Sequence, residues 1–519
     1  MEHRIQNILV VGGGTSGWIT AARLAKKFSA DKNSQVSISL IESPEVSGIG
    51  VGEGTFPTMR ETLQFLGIPE AEFIKFCNAT FKQGIKFVNW ENSPQGASNN
   101  SYYHLFNTPH STKEVELVDY WLQGLGNRTI PFSHNLSEQA FICDAGLAPK
   151  KITTPEYRCI ANYAYHLDAK KFVEFLRDWS TQKLGVNHLI GHIEKVNLDD
   201  QGFIDSVTTK DQNSISADLF VDCTGFSCLL LGQALEVPFV DKSDVLFVDH
   251  AIAMQVPYAN ELQPIECCTV STAHEAGWTW DIGLQTRRGV GYVYSSAHTS
   301  HDRAEQVLRQ YVGAQSENLS ANKIPMKTGY REKFWHKNCV AVGFSAGFLE
   351  PLESTALVLV EAAATLISEQ FPHTKDYLPI IEKKFNQSFT YRFERIIEFV
   401  KLHYCISKRE DNAFWIDNRK QSSIPERLLD NLEFWKYKAP SAFDFPSIFE
   451  IFTLDSYQWI LYGMNYHTDL SLSGSQYNDS KQANKEFNKV KGLSSALVNQ
   501  LPPHRELINK ILEFGLAKV

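Results

Sequence analysis

The chain has 519 residues, 43% of them hydrophobic and 12% aromatic, enough for a large core and two or three structural units. Fifty basic against 59 acidic residues leave a net charge of −9 with no basic block, which argues against nucleic acid or an acidic membrane surface as a partner. The nine scattered cysteines, odd in number and without a CxxC pair, speak against a disulfide framework or any metal site and fit a reducing cytoplasm. The opening "MEHRIQNILVVGGG" runs into a strand without a leader pattern, and no run of about 18 uncharged apolar residues predicts a membrane helix.

Residues 6–42 read as strand, glycine turn, helix and strand. "ILVVGGGTSGW" at 8–18 places Gly12-x-Gly14-x-x-Gly17 directly after an apolar strand and before the helix "WITAARLAKKF"; "VSISLIE" follows and ends on Glu42. Gly12 permits the tight turn, and Gly14 lets backbone N–H groups approach a pyrophosphate at the helix N-terminus. Gly17 lets the helix pack closely on the strand, and Glu42 can accept from ribose hydroxyls. The glycine pattern alone is weak; its strand–helix context predicts a bound dinucleotide.

Further along, "NWENSPQGASNNS" (89–101) is a polar loop, and "DLFVDCT" (218–224) is a buried strand with Asp222 and Gly225 at its end. Residues 264–295 read as antiparallel strands. "CVAVGFSAGF" (339–348) is a strand followed by a Gly/Ala-rich turn. Flavoproteins of the glutathione-reductase type have such a late strand–turn–helix beside the isoalloxazine, so FAD is favoured, and no second well-placed GxGxxG offers a separate NAD(P)H domain. "GFLEPLESTALVLV" (347–360) has Pro351, Glu353 and Ser354 ahead of an apolar run, which taken alone is ordinary helix-start chemistry. From about 374 apolar residues recur at helical spacing, and the segment to 519 reads as mainly helical with a polar, loop-rich stretch at 464–490. The expected fold is α/β: a glutathione-reductase-type FAD-binding Rossmann box with an inserted antiparallel sheet over 1–373, and a mainly helical substrate-side unit over 374–519.

Six stretches carry a more specific signal: "GGGTSGW" (12–18), "GVGEGTFP" (50–57), "FKQGIKFVNW" (81–90), "GWTWDIG" (277–283), "GFLEPLEST" (347–355) and "FVKLHY" (399–404). Together, over nearly the whole length, the chain resembles the flavin-dependent tryptophan halogenases and their relatives. The resemblance implies FAD received as FADH2 from a separate NAD(P)H-dependent flavin reductase, and O2 with chloride or bromide giving hypohalous acid. That acid travels through a tunnel to a lysine beside a small aromatic substrate. By motif position the catalytic pair is Lys82 and Glu353. Thr355 and Ala356 hold the halide, Trp278, Trp280 and Ser354 border the tunnel, and His104, Phe106 and Phe452 meet the substrate. Expected cofactor contacts are Gly12, Gly14, Thr15, Ser16, Gly17, Glu42, Gly50, Asp222, Gly225, Gly343, Gly347 and Leu352. A homodimer is left open.

The residue types suit that chemistry. An ammonium can hydrogen-bond hypohalous acid or be N-halogenated and deliver the halogen. A carboxylate can stabilise the cationic arene and take its proton. Without the motif, Lys82 reads as a solvated surface lysine and the two tryptophans as core packing. The chain also departs from the family pattern. Gly283 stands where the Trp-x-Trp-x-Ile-Pro signature has proline, which predicts a looser strand end. Ala356 replaces a glycine, which matters for the halide only if that position needs a positive φ. The glutamate and tyrosine pair that grip the amino-acid head of tryptophan fall on Ser447, Pro440 and Ser441, unless an insertion brings Glu450 or Asp444 into that role. Free tryptophan is therefore expected to be a poor substrate beside indole. The competing readings are a flavin monooxygenase that hydroxylates an aromatic and a non-catalytic binding protein on the same fold.

Overall fold

The computed structural model describes residues 4–29, 35–45, 52–94, 100–113, 115–471 and 479–518; Gly50 lies outside them. The chain divides into two units, each drawn from three segments: Met1–Asn78, Leu167–Lys242 and Lys327–Phe393, and Ala79–His166, Ser243–Met326 and Glu394–Val519. The sequence boundary near 373 marks a change of texture from mixed to helical, and residues 374–393 belong to the first unit.

The first unit is built on a six-stranded sheet. Its strand Asn7–Val11 is buried at every position but the first, as a strand covered on both faces should be. It pairs in parallel with Ser37–Glu42 on one side, Val11 opposite Ile41, and with Leu219–Asp222 on the other, Val11 opposite Asp222. Asn187–Ile190 extends the sheet beyond Ser37–Glu42, and Cys339–Ala341 extends it beyond Leu219–Asp222. All these strands point the same way, so Gly12, Glu42, Cys223 and Val342 emerge along one edge. This is where open parallel sheets bind ligands. Helix Thr15–Ser29 packs against helices Ala169–Lys183 and Thr355–Glu369.

The second unit carries a seven-stranded sheet in the order Asn322–Pro325, His250–Pro257, Arg287–Tyr294, Gly277–Gly283, Thr269–His274, Gly84–Val88, Ser101–Leu105. The antiparallel strands expected within 264–295 form its centre. The last two strands flank the polar loop and went unseen in the sequence, being five residues each with little apolar alternation. The period-2 rule puts Phe87, Ser271, Trp280 and Gly291 in line on one face. Gly291 is glycine for a reason: a Cβ there would stand 2.2 Å from the Trp280 ring. The opposite face buries Ile252, Met254, Val290 and Tyr292 against Ala304, Val307 and Leu308 of helix His301–Val312. Helix Ser480–Val498 begins inside the stretch expected to be loop-rich, its start fixed by Asp479 accepting from the Gln482 N–H. Among the described residues no helix is long and apolar enough to cross a membrane.

Candidate active site

In the first unit the strand ends open on a cavity of about 700 Å³. Gly12, with φ +116°, turns the chain where a Cβ would stand 2.2 Å from the Cys223 carbonyl oxygen. A Cβ on Gly17 would stand 1.9 Å from the Gly12 carbonyl oxygen, so the helix settles directly on the turn. Gly14 is different. No other protein atom lies within 4 Å of its would-be Cβ, and it lines the cavity with Thr15 and Ser16. The turn thus keeps free the space before a helix N-terminus, the place a pyrophosphate needs. Glu42 also lines the cavity and accepts from His188 Nε2 at 2.8 Å. Its other oxygen occupies the place of a side chain on Gly13, at 1.6 Å from the would-be Cβ. Gly13 and His188, which sequence reasoning passed over, therefore seat the carboxylate meant for the ribose.

Gly225 and Gly343 line the same cavity with φ near +70°, and Gly347 joins them. Two expected cofactor contacts fall elsewhere. Asp222 is buried beneath the cavity. It accepts from Thr224 N and Ser345 Oγ at 3.0 Å, from Thr224 Oγ1 at 2.7 Å and from Leu230 N and Leu231 N at 2.9 Å, five donors that lock the loops around it. Leu352 is buried in the turn Pro351–Glu353, away from the lining. Glu53, missed in the sequence, does line the cavity. Burial, with Asp168 nearby, pushes its carboxyl up to about 7, so near neutrality it can stand as a hydrogen-bond donor.

The stretch "GFLEPLEST" is not a plain helix start. Pro351–Glu353 is a separate short 3-10 turn, Ser354 sits in the left-handed region at φ 57° and ψ 37°, and helix Thr355–Glu369 begins after it without a side-chain cap from Ser354. A non-glycine residue held there costs energy that ordinary helix initiation does not require. Thr355 and Ala356 line the cavity and open the first turn of the helix. The positive φ lies at Ser354 and not at Ala356, so alanine there loses nothing conformationally. Glu350 and Glu353 are both buried. Deeper in the helix, buried Glu361 accepts from Thr58 Oγ1 at 2.9 Å and Thr62 Oγ1 at 2.5 Å, and burial pushes it up to about 7.

In the second unit Lys82 ends the strand Thr80–Lys82 and is fully buried, not solvated. Its Nζ stands 5.5 Å from the Phe106 ring centroid. Two residues along the paired strand, His166 is buried too, with Nε2 2.8 Å from Thr269 Oγ1. Burial first, then the charges of Lys82 and His504, hold it well below its ordinary 6.5. A neutral His166 spares Lys82 a second positive charge. His104 packs against Phe399 and Phe452, whose rings stack at 3.9 Å. Phe399 was missed as a site residue although it opens the "FVKLHY" motif.

Trp278 and Trp280 meet edge-on with centroids 6.4 Å apart, and Trp90 stands 6.3 Å from Trp278. Gly283 is not a loose end. It is buried with no positive φ, its carbonyl accepts from Thr80 Oγ1 at 2.5 Å, and a Cβ would stand 2.9 Å from Ile265 Cγ2. Where the amino-acid clamp was sought, Ser441 and Asp444 close a capping box with Ser441 N to Asp444 Oδ2 at 2.7 Å, which commits Asp444 locally. Glu450 is half-buried, its charge among those raising Glu398, which burial foremost pushes up to about 8.

A family model described as tryptophan halogenase matches residues 7–476. The tryptophan 6-halogenase SttH of Streptomyces toxytricini is 36% identical, with 96% of this chain and 97% of that protein covered. The tryptophan 7-halogenase RebH of Lentzea aerocolonigenes is 35% identical over 86% of this chain and 84% of its own length. Among solved structures, a tryptophan halogenase from Shewanella frigidimarina superposes with a TM-score of 0.95 at 42% identity, covering 99% of each chain.

Proposed function

From the premise that the chain belongs to the tryptophan halogenase family, we propose that it is a flavin-dependent halogenase that chlorinates or brominates tryptophan or an indole. The observation that carries this reading is a fully buried lysine beside an aromatic ring, with its neighbouring histidine held neutral.

Bound as FADH2, the cofactor supplies with O2 the oxidising equivalents that turn halide into hypohalous acid. Gly12, Gly14, Thr15 and Ser16 would hold the pyrophosphate and Glu42 a ribose, and the space left at Gly14 fits that role. The N–H groups of Thr355 and Ala356 would hold the halide at the positive end of their helix. Lys82 donates a hydrogen bond to hypohalous acid or carries the halogen on Nζ, out of water, where its charge polarises most strongly. Glu353 stabilises the cationic arene and takes the ring proton. His104, Phe106 and Phe452 present flat surfaces to the ring. Reduced flavin comes from a separate reductase.

The test is product mass after incubation with an excess of chemically reduced FAD, O2, indole or tryptophan, and bromide. A brominated product that disappears without bromide supports the reading. An oxygenated product formed regardless of bromide would favour the hydroxylase. Rapid reduction of FAD by NADPH with this protein alone would count against the separate reductase.

A further inference from the structure

The second unit holds a group of three buried thiols. Cys143 stands in helix Gln139–Asp144, and Cys267 and Cys268 immediately precede strand Thr269–His274. All three sulfur atoms lie within 4.8 Å of one another, with Cys268 Sγ 3.4 Å from Cys143 Sγ. Three sulfurs set trigonally around one ion at about 2.3 Å are about 4 Å apart, a spacing this range brackets. We propose that Cys143, Cys267 and Cys268 form a three-sulfur site for one soft, thiophilic cation of the copper(I) class.

The surroundings select that class. The side chains of Asp144, next to Cys143, and of His504 are already committed. Asp144 accepts from Tyr103 at 2.5 Å, His134 at 2.8 Å and Lys86 at 3.3 Å. His504 accepts the Phe81 N–H on Nε2 at 3.0 Å and faces the Ile265 carbonyl with Nδ1 at 3.2 Å. No fourth histidine, cysteine or carboxylate joins the group among the described residues. Three sulfurs without an imidazole or carboxylate in the group suit a soft d10 ion content with three thiolates. Loading would release thiol protons to solvent. The Cys267 carbonyl accepts from Gln83 N at 2.7 Å, so an ion here would stiffen the segment bonded to the residue after Lys82.

The site is independent of the halogenase reading and is tested without turnover. Full-length, reduced, metal-free protein is titrated anaerobically with copper(I) against a chromophoric copper(I) chelator, and the loaded protein is examined by X-ray absorption. One equivalent withheld from the chelator, with a sulfur-only shell, is expected. Cys143→Ser should lower the affinity on the order of 100-fold, while Cys159→Ser, at an exposed thiol, should leave it unchanged. If Cys143→Ser fails to fold, Cys268→Ala and the wild-type sulfur shell decide. No retained equivalent, nitrogen or oxygen in the shell, undiminished binding in a folded Cys143→Ser, or a Cys143–Cys268 disulfide formed with copper released would each overturn the proposal.

Discussion

The cavity of the first unit and the surroundings of Lys82 in the second are built by different physics. The flavin-side cavity is a backbone device: Gly12, Gly14, Gly17, Gly225 and Gly343 act through φ values and missing side chains. The surroundings of Lys82 are a side-chain device, with Phe106 and His166 brought to it from separate stretches of the chain. Backbone recognition needs consecutive residues and leaves a local signature. Side-chain recognition needs only proximity, and the chain order hides it.

That contrast can be broken by experiment. The largest effect is expected at Lys82. Lys82→Ala should abolish halogenation while FAD affinity, measured by flavin fluorescence quenching, stays unchanged; near-normal product yield would remove the lysine from the mechanism. Glu353→Gln should slow turnover about 10²-fold, the low end for losing a placed base, with the fold intact by circular dichroism.

Glu361 tests whether helix Thr355–Glu369 carries a hidden pH dependence. Its carboxyl lies at 4.5 ordinarily and about 7 in the fold. The neutral form therefore stabilises the protein fully below pH 4.5, and that contribution is lost as pH rises through 7. Glu361→Gln should gain about 3 kcal/mol over the wild type at pH 8 and little at pH 4.5, read from denaturant unfolding. Equal effects at both pH values would contradict the shift.

The glycines sharpen the comparison further. Gly14→Ala should leave the melting temperature intact and weaken FAD binding about tenfold, about 1.4 kcal/mol, because its Cβ meets ligand space and not protein. Gly12→Ala should damage the fold itself. On the substrate side, indole should outcompete free tryptophan at equal concentration, a zwitterion losing hydration without matched partners where Ser447, Pro440 and Ser441 stand. Preferential halogenation of tryptophan would point to Glu450.

What was legible follows the same division. The βαβ opening, the Asp222 strand and the central antiparallel strands could be read from periodicity and glycine punctuation. The setting of Asp222 could not be read, because a carboxylate at a strand end looks the same whether it faces a ligand or five donors of its own chain. Lys82 could not be recognised as buried from "FKQG", since its strand partner Ala164 and its ring partner Phe106 lie elsewhere in the chain. The unit division escaped because helical texture does not say which sheet a helix joins.

The depth of Lys82 has a practical consequence for handling the protein as a catalyst. Amine-reactive carriers and aldehyde cross-linkers capture only amines that reach solvent. Lys420, Lys489 and Lys408 have side chains 62%, 63% and 52% exposed. Lys82 is 0% exposed. Immobilisation through lysine should therefore tether the protein by its surface while the amine assigned to the chemistry passes through the coupling bath unmodified.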